Sequence, residues 1–357
     1  MVLRRYDVLI KCRLGMERVC ASYIKDLNPK LEVVSAPKGF SGLVLVGGAD
    51  DKYELARLIK ERVPEADKVL IIDGVAKAEI PSIAEEVTKI IKDKISPDET
   101  FAVRTVRRGS HEFTSIDVNV AVGAKVKEVT GASVNLEFPD KVVAVEIIGG
   151  DAYISIIDGK ELWRKKGPTK RPMYRLFRRF SIIHEPYLGP LDACRTMGIR
   201  IGREAQTFEV DELIIAPKGP VKALELKTFI EGVLEGIETR YQVQVKAYGR
   251  DVHKVRVYVQ DMYQVVRDRS NEVLIVLEPE GKPVSQCIDE LEELILRRRK
   301  RINLFIGARE GVPLGIYRFA NLVLDIAPGI TIATDYALSS ALIAIATLIH
   351  DKFSEEW

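Results

Sequence analysis

The apolar positions fall into three blocks with different periodicities. Residues 6–12 (YDVLIKC) alternate as a strand, and 15–27 carry a helical stripe. Residues 31–47 read as two strands folded about the Lys38-Gly39 turn, and 51–62 is helical again. Residues 67–157 repeat this α+β pattern with a strand, a helix over 81–94, the strand FAVRTVRR, a helix over 115–130, and the strands VVAVEII and AYISII. From Phe180 the order becomes FSIIHEP, a helix over 191–209, DELIIAP, a helix over 221–239, VRVYVQ, NEVLIVLEP, a helix over 284–299, INLFIGA, and a last helix from near Thr334. Strands alternating with helices over short connections predict an α/β domain with a largely parallel sheet.

At 357 residues the chain exceeds one ordinary core, and the patterning divides it at 1–66, 67–160 and 180–357, with a linker over 161–179. Formal charge is only +2, so any basic surface must be local. Cys12, Cys20, Cys194 and Cys287 form no CxxC pair and have no histidine at ligand spacing, which indicates neither a disulfide framework nor a metal site. A reducing, cytoplasmic setting fits. The longest apolar stretch is broken by Asp335 and serines before membrane-spanning length, and MVLRRYDVLIK lacks a signal-peptide core, so a soluble protein without a membrane partner is expected. Charged residues make up 30% while Cys, Met, Asn and Gln are sparse, a bias of proteins from hot environments.

Local charge is concentrated in two places. The linker ELWRKKGPTKRPMYRLFRRF holds eight Lys or Arg against one Glu, among them Arg164, Lys165, Lys166 and Arg171, interleaved with Trp163, Tyr174 and Phe177. Cations bind phosphates and aromatics stack on unpaired bases, so RNA is the reading for the charge run. For Trp163 and Phe177 themselves, docking the linker onto its flanking domains is preferred to base stacking. The second place is FAVRTVRRGSHEFTS, where Arg104, Arg107, Arg108 and His111 border a turn and a helix start. Charge, backbone N–H groups and helix dipole converge there on a phosphate site, against the alternative of a solvated basic edge strand.

The segment from FAVRTVRRGSHEFTS through TGASVNLEFPDKVVAVEI resembles a THUMP domain. That resemblance implies a small ferredoxin-like domain ahead of it, over 1–66, and a joint grip on the acceptor end of tRNA. It also implies a catalytic domain behind. An ATP-pyrophosphatase loop of the SGGxDS kind is missing, and FSIIHEPYLG lacks the Gly-rich turn of a Rossmann methyltransferase.

NLFIGAREGVPLG and LVLDIAPGIT, followed by a helix rich in small residues, resemble the second and third motifs of the SPOUT methyltransferases, and IGREAQTFEVDELIIAP resembles the first. The fold class this implies is α/β and α+β multidomain, ending in an α/β trefoil-knot SPOUT domain. The implied activity is S-adenosylmethionine-dependent methylation of tRNA by a homodimer. Arg203 takes the family's arginine position, with Arg195 and Arg200 as competitors, because no Asn-x-Gly precedes Arg203. The implied donor site comprises Leu277, Glu278, Gly281, Ile306, Gly307, Glu310, Gly311, Ile326, Ala327, Gly329, Ile330, Thr331 and Thr334.

An arginine is too weak an acid to serve as a base without large perturbation, so Arg203 is read as a cation that stabilises a developing alkoxide or grips a phosphate. Ribose 2′-O methylation ranks above base methylation; a non-catalytic RNA-binding dimer is the competing class. Glu310 is read as a salt-bridge partner of Arg309 before a proton acceptor. His184 is read as structural, and Arg297 to Arg301 as a helix cap or an RNA patch. Residues 239–270 exceed the compact core of the resembled family and carry no assigned role.

Overall fold

A computed structural model of the chain describes residues 6–165, 167, 169–298 and 300–353. The chain divides into two compact units, residues 1–167 and 168–357.

The first unit contains two sheets. Strand β1 (Val8–Cys12), helix α1 (Glu17–Leu27), β2 (Glu32–Ser35), β3 (Leu43–Gly47), α2 (Lys52–Arg62) and β4 (Ala66–Ile71) make an antiparallel sheet in the order β2-β3-β1-β4. Because β4 pairs with β1, the first sheet runs to Ile71 rather than ending at the expected break after residue 66. Ile10, Val44, Val46, Cys20, Ile24 and Ile59 close its core against the two helices.

The second sheet starts with β5 (Gly74–Lys77), too short to register as a separate apolar run. It continues through α3 (Ile80–Ile91), β6 (Thr100–Arg108), α4 (Ser115–Thr130), β7 (Ser133–Val134), β8 (Lys141–Ile148) and β9 (Asp151–Asp158), in the order β5-β9-β8-β6-β7. Phe101, Val103, Val118, Val122, Val143 and Val145 form the core beneath α3 and α4. Thr114 starts α4 with a reciprocal capping box to Asp117, and Gly131, in the left-handed region, ends it.

The second unit begins with the short helix α5 (Tyr174–Phe177), the end of the expected linker. Here Leu176 and Phe177 are buried, and the Phe177 ring meets Phe180 and Phe208 edge-on, both at 5.5 Å. Then follow β10 (Phe180–His184), α6 (Leu191–Phe208), β11 (Glu212–Ile215), α7 (Ala223–Ala247), β12 (Arg256–Val259), α8 (Met262–Asp268), β13 (Val273–Pro283), α9 (Ile288–Leu291), β14 (Ile302–Ile306), α10 (Leu314–Tyr317), β15 (Leu322–Asp325) and α11 (Thr334–Ile349). All strand pairs in the six-stranded sheet are parallel, in the order β12-β11-β10-β14-β13-β15. Covered on both faces, the central strands are continuous apolar runs.

Residues 239–270 now have a structural role: they supply the last turns of α7, the edge strand β12 and α8. Helix α7 lies on α6 at backbone contact. A Cβ on Gly202 would stand 2.2 Å from the Val233 carbonyl oxygen, and one on Gly236 2.1 Å from that of Ile199. The expected helix over 284–299 is α9 continued by a π-helical turn, Glu292–Arg297.

Candidate functional site

The carboxyl ends of β13, β14 and β15 converge with the start of α11 on a cavity of about 500 Å³. Ligands collect at this edge of parallel sheets, where loops rather than strands meet the space. Of the expected donor-site residues, Leu277, Glu278, Ile306, Gly307, Glu310, Gly311, Ile326, Ala327, Ile330, Thr331 and Thr334 line it. Gly281 and Gly329 do not. Gly281 packs on β15, where a Cβ would come within 2.6 Å of the Leu324 nitrogen, and Gly329 forms the φ +79° turn of the APGIT loop.

The chain approaches itself too closely here for side chains. A Cβ on Gly307 would lie 2.5 Å from the Gly311 Cα, and one on Gly311 2.8 Å from a Glu278 carboxylate oxygen. Burial, followed by the nearby Glu280 and Glu185 charges, raises the Glu278 pKa above the ordinary carboxylate value, although Val312 donates a backbone N–H to it.

Sequence reasoning missed the residues that brace this loop. Glu185 accepts the Ala308 N–H at 2.8 Å, and Lys218 reaches Glu185 at 3.1 Å, the Gly311 carbonyl at 3.1 Å and Glu310 at 3.4 Å. Burial works against the Lys218 charge, but its two carboxylate partners hold its pKa above the ordinary value. Glu185 and Lys218 closely follow the ends of β10 and β11, a position that could have flagged both. Glu310 therefore pairs with Lys218, not with Arg309 as expected. Arg309, at φ 54°, stacks instead over the Tyr187 ring at 4.6 Å. His184 is fully buried; its Nδ1 lies 2.6 Å from the Glu185 carbonyl, and burial pushes its pKa down to about 4.

A second cavity, of about 490 Å³, lies between α6 and the first turn of α11 and is lined by Thr196, Ile199, Arg200, Arg203, Glu204, Asp335 and Tyr336. Arg200 holds the buried Asp335 at 2.6 Å. Arg203 is exposed at this cavity, whereas Arg195 lines neither cavity and is ion-paired with Glu235 on α7. Ala333, Thr334 and Ala337 face the first cavity while Asp335 and Tyr336 face the second. At about 100° per residue these are opposite sides of one helical turn.

In the first unit, strand alternation divides the expected arginine cluster. Arg104 and Arg108 point to one face of β6, and Arg107 points to the other, shared with Phe101 and Val103. Arg104 donates to the Leu136 carbonyl, Arg108 to Glu146 at 2.9 Å, and Arg107 lies over the Phe113 ring at 5.7 Å. His111 Nε2 is 2.8 Å from the Gly149 carbonyl. Arg164 donates to the Glu137 carbonyl at 2.8 Å, Lys165 is exposed, and Lys166 lies outside the described residues. Trp163, expected to dock the linker, is instead 103% exposed. In the second unit Arg171 bonds His350 and Phe353 near the C-terminus. Arg297, Arg298 and Arg301 pair with carboxylates, Lys300 donates to the Asn271 carbonyl, and Arg299 lies outside the described residues. Among the described residues there is no cluster of metal-ligating side chains, and no helix is long and apolar enough to cross a membrane.

Known proteins match the chain in two parts. The family model for AF2226-like SPOUT RNA Methylase fused to THUMP matches residues 174–357, and the THUMP domain model matches residues 77–157. An uncharacterized protein of Methanocaldococcus jannaschii is 42% identical over 339 residues, covering 94% of this chain and 92% of that one. The tRNA sulfurtransferase of Shewanella sp. strain ANA-3 is 35% identical over 146 residues, 40% of this chain and 30% of that protein. The solved structure of PH1313 from Pyrococcus horikoshii aligns with a TM-score of 0.37 at 15% identity, over 94% of this chain and 98% of that one. The chain belongs to the family of AF2226-like SPOUT RNA methylases fused to THUMP, and is an S-adenosylmethionine-dependent RNA methyltransferase with a THUMP domain followed by a SPOUT domain.

Proposed function

We propose that the protein transfers the methyl group of S-adenosylmethionine to a ribose 2′-hydroxyl of tRNA, and that it acts as a homodimer. The observation carrying this reading is the cavity of about 500 Å³ where two motif-bearing loops, after β14 and β15, meet the Leu277–Glu280 segment of β13. Its lining suits a cationic donor: Glu278, Glu280, Glu310 and Asp325 face the space, and among the described lining residues only Arg309 is a cation. A sulfonium and an ammonium group are attracted there, while a nucleotide phosphate is repelled. Backbone groups of Gly307 to Gly311 and Ile326 to Thr331, bare of bulky side chains where loops touch, would hold the adenosine and methionine parts.

The position of Arg203 supports a site built from two copies. It stands across α11 from the donor cavity of its own chain, so the donor it serves belongs to the partner. Tyr336 and Ile343, one heptad apart on the outer face of α11, are 62% and 56% exposed and supply apolar surface for a two-fold contact. The close approaches of Gly307 to Gly311 and of Gly281 to β15 fit a trefoil knot, in which slim residues let one segment pass another. The βαββαβ order of residues 8–71 fits a ferredoxin-like fold, followed by the THUMP domain and the basic linker in presenting RNA. Trp163, beside Arg164 and Lys165, is placed to stack on an unpaired base.

Calorimetric titration of the purified protein with S-adenosylmethionine tests the donor, and absence of binding would end the proposal. Mass spectrometry of tRNA nucleosides from a deletion strain tests the product: loss of one 2′-O-methylnucleoside is expected, and loss of a base-methylated nucleoside instead would overturn the ribose assignment.

A further inference from the structure

Glu204, next to Arg203, is left unexplained by the arginine assignment. We propose that Glu204 takes up the proton released by the acceptor hydroxyl of the RNA, while Arg203 stabilises the negative charge developing on that oxygen. The inference rests on the ribose methyltransferase reading above and supplies the base that an arginine cannot be.

Both side chains come from α6 and line the cavity of about 490 Å³ beside α11. Four ionisable groups face Glu204 there: Arg200 and Arg203 on α6, Asp335 and Tyr336 on α11. The other carboxylate of the cavity is already committed, since Asp335 is held by Arg200 at 2.6 Å. Glu204 forms no ion pair among the described residues and accepts only from Ser339, whose backbone N–H lies at 3.1 Å. A half-buried carboxylate without a cation is costly to keep unless it has work to do. Burial, aided by the Asp335 charge and opposed by Ser339, pushes the Glu204 carboxyl up to about 7. That is the strength at which a base is both ionised near neutrality and able to hold a proton.

In the transfer, the O–H bond breaks and its proton passes to a Glu204 carboxylate oxygen. The oxygen's electron pair forms the new bond to the methyl carbon as that carbon's bond to sulfur breaks. The pair from the broken bond stays on sulfur, converting the sulfonium to a neutral thioether, and Glu204 later releases its proton to water.

The test is single-turnover methylation of unmodified tRNA by the full-length protein at a series of pH values, with Glu204→Gln and Glu204→Asp alongside. The wild-type rate should climb with pH and level off above about 7. Glu204→Gln should lower the rate by about 10²–10⁴-fold and abolish the climb, with donor and tRNA affinities unchanged, and Glu204→Asp should recover part of the rate. Infrared difference titration of the free protein should find a carboxyl titrating near 7 that the Gln variant lacks. A Gln variant with the wild-type rate and profile would overturn the assignment. So would a wild-type profile flat through neutrality, which requires no variant to fold. A wild-type protein that binds donor and tRNA but moves no methyl group overturns the functional reading itself, whereas an active wild type with an unaffected Gln variant overturns only the role of Glu204.

Discussion

Lys218 Nζ stands 3.1 Å from the Glu185 carboxylate, and this partly buried pair ties the ends of β10 and β11 to the glycine loop after β14. Glu185 holds the loop at the Ala308 N–H and Lys218 holds it at the Gly311 carbonyl, so the clamp grips both ends of the bend. Lys218→Met leaves Glu185 without its cation and frees one end of the loop. Donor affinity should fall roughly tenfold, about 1.4 kcal/mol, with little change in tRNA affinity. Calorimetry with S-adenosylmethionine checks this, and an unchanged Kd would show that the loop holds its shape without the clamp.

The α6–α7 contact predicts a stability effect with no chemistry in it. Gly202→Ala puts a methyl group 2.2 Å from the Val233 carbonyl oxygen, a backbone atom that cannot swing aside. The helices must separate, at a cost of about 3 kcal/mol. Urea unfolding should show a lower midpoint for Gly202→Ala, whereas Gly219→Ala, where a Cβ meets nothing within 4 Å, should be nearly silent.

These two cases mark how far the sequence could be read. Period and turn chemistry located the longer strands and helices but not the short β5, β7, α5, α8 and α10, and the glycine loops after β14 and β15 were legible because glycine runs between strand and helix have few other uses. The clamp was not legible: Glu185 and Lys218 lie about 120 and 90 residues from the loop they hold, and only the strand order β11-β10-β14 brings them to it. The two faces of the arginine cluster were not legible for the opposite reason. Its members are close in sequence, but the two-residue period of β6 sends Arg107 to the face opposite Arg104 and Arg108. Glu204 stayed hidden because a carboxylate within a helical repeat looks solvated until α11 is packed over it.

Burial of His184 predicts a pH effect on stability. The folded protein holds this imidazole neutral down to about 4, while the unfolded chain protonates it below its ordinary value of 6.5. As pH falls through that window the unfolded state binds the extra proton, so stability is lost between the two values and the loss levels off below about 4. The gap corresponds to roughly 3 kcal/mol. His184→Asn keeps a donor for the Glu185 carbonyl but cannot titrate. Its urea midpoint, compared with wild type across this window, should decline less steeply, and parallel declines would mean that other groups carry the acid sensitivity.

The arginines of α6 give the sharpest separation between a structural and a chemical role. Arg195 and Arg203 are two helical turns apart, yet Arg195 is spent on Glu235 in an exposed ion pair while Arg203 opens on the cavity beside Glu204. An exposed pair contributes about 1 kcal/mol at most, so Arg195→Ala should leave the methylation rate within a few-fold of wild type and lower the melting temperature slightly. Arg203→Ala removes a cation aimed at developing charge and should cut the single-turnover rate by about 10²–10³-fold, with tRNA affinity largely retained. Wild-type protein mixed with excess Arg203→Ala protein, itself unable to bind donor through a further Gly311→Glu change, supplies a stricter check on the proposed homodimer. If Arg203 serves the partner's donor, mixed dimers keep no complete site, because the wild-type donor cavity faces the mutant arginine and the wild-type arginine faces the blocked cavity. Activity per wild-type chain should then fall towards zero as the mutant is added, whereas an arginine acting within its own chain would leave that activity constant.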